Sequence, residues 1–419
     1  MTAAPSAETV LARCDALAAH TEEPGRLTRT FLTPVHASAA AEVRRWMEAA
    51  GMTVRMDGMA NLIGRYEGAE PDAPAVVIGS HLDTVRDAGR YDGMLGVLLG
   101  IDAVARLNAA GRRLPFAVEV VGFGDEEGVR FARTLLGSRA LAGTLDEAAL
   151  SATDAGGTTL AQALEAFGLA PDGWREAALD PARVRAYLEV HIEQGPVLER
   201  LNLPVGVVTA IAGATRLAFT LGGEAGHAGT VPMDARRDAL AGAAEAVLAV
   251  ESVAQEHGVV ATVGVLEVAP GAVNVVPGRA RFTVDLRAAG DAARESALEN
   301  LRGRIQMIAA RRGLTLAAET LHENDACPCS PALTDLLAET VEDHGLPAHR
   351  LMSGAGHDAM AMADLCDVAM LFVRCAGGIS HNPAESVTAE DVAVAADVLS
   401  DALALLAERP PFHPQEPRP

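Results

Sequence analysis

The sequence has 419 residues, a formal net charge of −22 and no lysine, since all 34 basic residues are arginine. This length exceeds the size at which one hydrophobic core usually stops growing, so we expect two domains. The negative charge disfavours a nucleic-acid partner, and the missing lysine excludes Schiff-base chemistry and a P-loop.

The first predicted element is a short amphipathic helix within residues 1–20, with Val10, Leu11, Cys14 and Leu17 on one face. This segment has no basic region followed by an apolar stretch, so it does not resemble a secretory signal. No apolar run approaches the ~18–20 residues of a membrane span. The five cysteines show no CxxC spacing, which favours reduced thiols. We therefore expect a cytoplasmic protein with no membrane partner.

Short apolar runs alternate with helical patterns in the first half of the chain and again near its end. Such alternation predicts an α/β domain with a mostly parallel central sheet. The apolar runs are 75–78, 116–121, 184–190 and 368–373. We assign this domain to residues 1–212 and 328–406, and we expect the proline-rich residues 407–419 to form a disordered tail.

The middle of the chain, residues 213–327, has a different pattern. Its predicted order is strand, helix, strand, strand, helix, strand, which is the ferredoxin-like βαββαβ arrangement. The predicted strands are 217–221, 259–268, 279–286 and 315–318, and the helices are 234–255 and 292–312. We interpret this segment as a second domain inserted into the α/β domain.

Four apolar runs of the α/β domain lead into side chains that commonly bind metals. In an open α/β sheet, ligands bind beyond the carboxyl ends of the strands, so these side chains should converge at one edge. They are His81 with Asp83, the pair Glu126 and Glu127, His191, and His381. Asp92 follows His81 in a glycine-containing loop and is close enough in sequence to join them.

Three imidazoles and two carboxylates suit two divalent cations, Zn²⁺ or Mn²⁺, with one carboxylate shared between them. Asp83 is placed to accept the N–H of His81 and fix its tautomer. Of Glu126 and Glu127, one can bind metal while the other acts as general base. Each residue alone also has a structural explanation, such as a turn or a helix start, so the joint pattern is the evidence.

Seven motifs follow one another along the chain: GSHLDTV, YDGMLGV, GDEEGVRF, EVHIEQGPVLE, GHAGTVPMDARRDA, SGAGHDA and GISHNPAES. Together they resemble the amidase/carbamoylase (hydantoinase) branch of the aminoacylase and carboxypeptidase superfamily of zinc peptidases. That branch contains allantoate amidohydrolases, N-carbamoyl-L-amino acid hydrolases and β-ureidopropionases.

The resemblance implies a role for each candidate of the α/β domain. One metal would be bound by His81, Asp92 and His191, and the other by Asp92, Glu127 and His381. Glu126 matches the general base, and Asp83 matches the residue that orients His81. Gln194 matches a substrate-contacting position, and His357 is a further candidate for substrate binding.

The middle segment resembles the dimerisation and lid domain of that branch. His227 matches the histidine that stabilises the developing oxyanion, often in the partner subunit's site. Asn274 and Arg287 match residues that hold the carboxylate of the substrate. The implied protein is a homodimer whose partner molecule is a small carboxylated ureido or carbamoyl compound.

We therefore expect a metal-dependent amidohydrolase that cleaves a linear amide or ureido C–N bond with release of ammonia, most closely an allantoate amidohydrolase. N-carbamoyl-L-amino acid hydrolase and β-ureidopropionase are the alternatives. An aminoacylase or peptidase is less favoured, because those relatives usually carry a carboxylate where this chain has His191. A non-catalytic relative would lack the base or a ligand, and a nucleotide-binding protein would carry a glycine fingerprint.

Overall fold

The computed structural model describes residues 6–409. The helices are α1 Ala7–Ala18, α2 Pro34–Ala49, α3 Met94–Ala109, α4 Leu136–Leu141, α5 Leu160–Phe167, α6 Val197–Leu201, α7 Ala239–His257, α8 Asp291–Arg311, α9 Pro331–Asp343, α10 Ala359–Met362 and α11 Ala389–Glu408. The strands are β1 Thr53–Met56, β2 Leu62–Tyr66, β3 Ala75–His81, β4 Ala117–Phe123, β5 Val184–Ile192, β6 Val205–Ile211, β7 Gly213–Gly222, β8 Gly226–His227, β9 Val260–Thr262, β10 Leu266–Ala269, β11 Val275–Val276, β12 Arg279–Ala288, β13 Thr315–Asn324, β14 Cys327–Pro328, β15 Arg350–Ser353 and β16 Val368–Val373.

The chain divides into two compact units. The second unit comprises Ala210–Pro328 and Met352–Ala355, and the other residues of the described part form the first unit. The predicted inserted domain, 213–327, did not include the segment Met352–Ala355. That segment belongs to the second unit because the N–H of Ala212 donates to the carbonyl of Ser353 at 2.9 Å.

The first unit is built on a mixed sheet, in which seven of nine strands run in the order β1-β2-β4-β3-β5-β16-β6. The four central strands β4, β3, β5 and β16 are parallel, whereas β1, β2 and β6 pair antiparallel. The predicted α/β class is confirmed, but the mostly parallel sheet is corrected to a mixed one. Only five residues join β1 to β2, and a parallel connection needs about a dozen or more.

Helix α3 packs closely on the central strands of this sheet. Every residue of β3, β4 and β16 is buried, as expected for strands that are covered on both faces. A Cβ atom at Gly96 would lie 2.1 Å from the carbonyl oxygen of Val190, so glycine is needed where α3 approaches β5. This close packing places the start of α3 beside the carboxyl ends of β3 and β5.

Arg29 is a fully buried cation that joins α1 to the residues after β3. Its Nε donates to the carbonyl of Leu82 at 2.7 Å, and its Nη1 donates to the carbonyls of Leu17 at 2.7 Å and His20 at 3.1 Å. Burial lowers the pKa of Arg29 to about 10, partly offset by the charge of Asp83. Arg29 therefore satisfies main-chain carbonyls from two distant segments at once.

We expect His36 to make the free energy of unfolding fall as the pH is lowered. It is fully buried, its Nδ1 accepts the N–H of Leu32 at 3.3 Å, and burial and then the charge of Arg29 lower its pKa to about 3. The folded protein keeps His36 neutral while the unfolded chain protonates near pH ~6.5. Because the unfolded chain then binds more protons, stability should fall by about 1.4 kcal/mol per pH unit below pH ~6.5.

The measurement is the free energy of unfolding in urea for the wild type and His36→Gln between pH ~6.5 and ~5. The wild type should lose about 2 kcal/mol more than the variant over this range. Glutamine retains an acceptor for the N–H of Leu32 but does not titrate. Equal losses in the two proteins would show that His36 is not the group responsible.

The second unit has an antiparallel sheet in the order β10-β12-β7-β13, with β9 also paired to β12. Residues of β12 alternate between buried and more exposed, and the buried ones pack with α7 and α8 in a separate core. The predicted strand 259–268 is instead two short strands, β9 and β10, separated by residues 263–265. Strands β8 and β11 form a small additional pair.

The end of the described chain is helical. Helix α11 reaches Glu408, so the tail that we predicted from residue 407 begins within a helix, and residues 410–419 lie outside the described part. Among the helices of residues 6–409, none combines the length and apolar character needed to cross a membrane.

Candidate metal centre

The predicted ligands lie where the sheet of the first unit ends. His81 is the last residue of β3, His191 is the penultimate residue of β5, and Glu127 follows β4. His381 follows β16 through a short loop, and Asp92 precedes α3. Because β3, β4, β5 and β16 are parallel, their carboxyl ends meet at one edge and bring these residues together.

Asp92 lies at the middle of this group and is only 3% exposed. Its Oδ1 is 3.5 Å from Nε2 of His81 and 3.1 Å from Nε2 of His191. Its Oδ2 is 3.2 Å from Nε2 of His381 on the other side. One carboxylate therefore faces two imidazoles with one oxygen and a third imidazole with the other.

Several sets of these side chains could hold a metal ion, because their ligand atoms lie within 4.8 Å of one another. One set is His81, Asp92 and His191, and another is Asp92, Glu127 and His381. Nε2 of His381 is 3.6 Å from Oε1 of Glu127. A further set joins His81 with Glu126 and Glu127. The first two sets share Asp92.

Main-chain carbonyls orient two of the imidazoles. Nδ1 of His81 is 3.0 Å from the carbonyl of Asp83, and Nδ1 of His191 is 3.0 Å from the carbonyl of Ile192. An Nδ1–H that donates to a carbonyl leaves Nε2 free to bind a metal. In both residues, Nε2 is the atom that faces Asp92.

The carboxylate of Asp83 has a different role from the one that we predicted. Its Oδ1 is 3.7 Å from Nδ1 of His81, which is too long for a hydrogen bond. Instead, it accepts the main-chain N–H groups of Glu126 at 3.0 Å and Glu127 at 3.2 Å. Asp83 thus orients His81 through its carbonyl and holds the Glu126–Glu127 segment through its side chain.

Buried negative charge dominates the electrostatics of the site. Burial, and then the charges of Glu127, Asp358 and Asp83, raise the pKa of Glu126 well above its usual range, although His81 opposes the shift. Burial, with the charges of Asp92 and Asp83, raises the pKa of Glu127 to about 7. These carboxylates repel one another in a region of low dielectric, where added positive charge is strongly favourable.

The imidazoles respond in the opposite direction. Burial alone would lower the pKa of His81, but its hydrogen bond to Asp92 and the nearby carboxylates raise it well above its usual value. Burial would raise the pKa of Asp92, but its hydrogen bonds to the three histidines hold it well below its usual range. Imidazole nitrogens and carboxylate oxygens, with an excess of buried acid, fit divalent cations such as Zn²⁺ or Mn²⁺.

Gln194 lies against the Asp92 carboxylate. Its Nε2 donates to Oδ2 of Asp92 at 3.1 Å and to Oγ of Ser380 at 3.0 Å. Ser380 directly precedes His381 in the motif GISHNPAES but was not among the predicted site residues. Glu385 lies in the same motif and was not predicted either, although its carboxylate accepts the main-chain N–H of Asp92. The motif that contains His381 is the sequence signal for both residues, but their contacts with Asp92 are visible only in the folded structure.

His357 packs beneath His191 and is 1% exposed. The two ring centroids are 4.5 Å apart in an edge-on arrangement, and the ring of Phe372 lies on another side at 5.8 Å. Burial, and then the charge of His191, lower the pKa of His357 well below its usual value. His357 therefore supports His191 by packing, and its role in substrate binding stays a prediction.

The other predicted residues lie in the second unit. His227 is exposed in β8, and the N–H of Ala228 donates to the carbonyl of Asn274 at 2.9 Å, so His227 and Asn274 are neighbours. Arg287 donates from Nε and Nη2 to Asp285, each at 2.9 Å, and from Nη1 to the carbonyl of Gly354 at 2.6 Å. Arg287 also lines a cavity of about 630 Å³ within this unit.

Comparisons with known proteins show which family this chain belongs to. A family model described as peptidase family M20/M25/M40 matches residues 77–405. The N-carbamoyl-L-amino acid amidohydrolase of Geobacillus stearothermophilus is 44% identical over 376 residues, which are 90% of this chain and 92% of that protein. A probable allantoate deiminase of Oryza sativa subsp. japonica is 44% identical, covering 92% of this chain and 85% of that protein. The crystal structure of a hydantoinase/carbamoylase family amidase from Burkholderia multivorans superimposes with a TM-score of 0.90 at 36% identity, covering 98% of this chain and all of that one.

Proposed function

The chain belongs to peptidase family M20/M25/M40 and is an amidohydrolase that acts on ureido C–N bonds, and we propose that its substrate is allantoate. The observation that supports metal-dependent hydrolysis is the Asp92 carboxylate, which lies between His81 and His191 on one side and His381 on the other. N-carbamoyl-L-amino acids are the second candidate substrates, because a relative of equal identity is named for that activity.

We propose that the site binds two divalent cations, Zn²⁺ or Mn²⁺. One would be held by His81, Asp92 and His191, and the other by Asp92, Glu127 and His381. Both ligand sets contain Asp92, so the two sets lie next to each other. This supports the assignment, because two-metal hydrolases hold their ions close together, ~3.5–4 Å apart. When bound, such ions lower the pKa of a water molecule and polarise the substrate carbonyl.

Glu126 is the general base of this proposal. Its carboxylate lies in the set with His81 and Glu127, and the N–H of its own backbone is held by Asp83. In this position, the carboxylate takes a proton from the attacking water and delivers it to the leaving nitrogen. The neutral ammonia that results then leaves the site.

The second unit is proposed to serve as a dimerisation and lid domain with a ferredoxin-like order of elements. In this proposal His227 stabilises the developing negative charge on the substrate oxygen, while Asn274, Arg287 and Gln194 hold the substrate. The neighbouring positions of His227 and Asn274 support a joint role. Since Asp285 occupies two donors of Arg287, a substrate carboxylate would share this guanidinium with Asp285.

The test is ammonia release by purified protein that has been stripped of metal and reloaded with Mn²⁺ or Zn²⁺. Allantoate and a panel of N-carbamoyl-L-amino acids would be offered separately. Fast turnover of allantoate alone supports the proposed substrate. Preference for a carbamoyl amino acid would replace it while retaining the reaction class. Absence of turnover on every ureido compound, with metal bound, would overturn the proposal.

A further inference from the structure

Glu385 is a buried carboxylate that lies four residues after His381 and is 3% exposed. Its Oε1 accepts the main-chain N–H groups of Tyr91 at 2.8 Å and Asp92 at 3.2 Å. Its Oε2 is 3.2 Å from the hydroxyl of Ser380. Glu385 thus connects the loop that carries Asp92 to the loop that carries His381.

Gly89 provides independent evidence that this connection is specific. A Cβ atom at Gly89 would lie 2.2 Å from Cδ and 2.3 Å from Oε1 of Glu385, which is far inside van der Waals contact. The φ angle of Gly89 is not in the left-handed region, so the need for glycine comes from the missing side chain. A side chain at position 89 would therefore require the Glu385 side chain or the Asp92 loop to move.

The hydroxyl of Ser380 lies between the carboxylates of Glu385 and Asp92, and its one hydrogen can be donated to either of them. The hydroxyl of Ser380 is 3.2 Å from Oδ2 of Asp92, the same oxygen that faces His381. Gln194 donates to both Ser380 and Asp92. Glu385 thus restrains the backbone of Asp92 directly and its carboxylate through Ser380.

We propose that Glu385 is a positioning residue that fixes Asp92 relative to His381, so that the ligand set Asp92, Glu127 and His381 forms. This inference rests on the proposed two-cation function. Removing an outer partner of a metal ligand typically weakens metal affinity about 10–100-fold. The effect should be largest for the cation held by His381, because the Ser380 contact is on that side of Asp92.

The experiment measures cation binding to the full-length protein after metal removal, by titration with Mn²⁺ and by metal analysis after dialysis. Glu385→Ala should bind one of its two cations about 10–100-fold more weakly and lose activity in proportion. Glu385→Gln should restore most of the affinity. Its amide oxygen can accept both N–H groups, and its NH₂ can donate to Ser380.

Gly89→Ala perturbs the same contact from the opposite side and should reproduce the weaker binding if Glu385→Ala does not fold. The control is Asp238→Ala in the second unit, which removes a carboxylate that accepts main-chain N–H groups at 3.0 and 3.1 Å. It should leave cation affinity unchanged.

Wild-type affinity for both cations in Glu385→Ala and Gly89→Ala would overturn the inference alone. Failure of glutamine to restore affinity would also overturn it, because hydrogen bonding would then not be the cause. If the wild type itself binds no divalent cation, the proposed function fails first, and the two failures are thereby distinguished.

Discussion

Replacing Glu126 with glutamine is expected to lower kcat by about 10²–10⁴-fold while both cations remain bound. Glutamine retains the size of the side chain but cannot take a proton from water. The backbone N–H of Glu126 would still donate to Asp83, so the segment should keep its position. Steady-state kinetics together with metal analysis of the same protein samples tests this expectation.

Glu127→Gln is the matched comparison, because the two residues are adjacent and both backbone N–H groups are held by Asp83. Since we assign Glu127 as a ligand, this variant should lose cation affinity as well as activity. A Glu126→Gln protein with full activity, or one that loses cations as Glu127→Gln does, would show that the two roles are assigned wrongly.

Asp92→Ala is expected to remove both cations and nearly all activity, because Asp92 belongs to both proposed ligand sets. The loss of affinity should exceed the 10–100-fold that is typical for an outer partner of a ligand. Three imidazoles would also lose the carboxylate that raises the pKa values of His81, His191 and His381. The metal-free variant should therefore have histidines that titrate at lower pH, which NMR of the imidazole protons can measure.

Asp15→Ala is the control for this variant. Asp15 is exposed and pairs with Arg90 at 2.6 Å, so it contacts the same loop without reaching the site. It should retain both cations. An Asp92→Ala protein that binds either cation with wild-type affinity would contradict the shared-ligand assignment.

The location of the site could be predicted from the sequence because the carboxyl ends of parallel strands meet at one edge of a sheet. Apolar runs that end in His81, His191 and the Glu126–Glu127 pair reach the same edge when they lie side by side. The resemblance to the amidase and carbamoylase branch is confirmed by the family match and by the named relatives. The assigned roles of the individual residues stay predictions.

Other features had no local pattern that could reveal them. Glu385 and Tyr91 are 294 positions apart in the chain, so only the folded structure shows their hydrogen bond. The carboxylate of Asp83 contacts the main chain of Glu126, and main-chain donors carry no sequence signature. The antiparallel strands β1 and β2 are short and only partly apolar, which explains why periodicity did not predict them.

The buried guanidinium of Arg29 has a consequence for where the catalytic part of the chain begins. The family match starts at residue 77. The carbonyl of Leu82, within that match, accepts a hydrogen bond from Arg29, which lies 48 positions before the match begins. A fragment trimmed to the matched region would lose this donor, and the carbonyl of Leu82 would be left without it. The N-terminal residues therefore hold the segment after His81 in place, and fragment design or domain grafting should retain them.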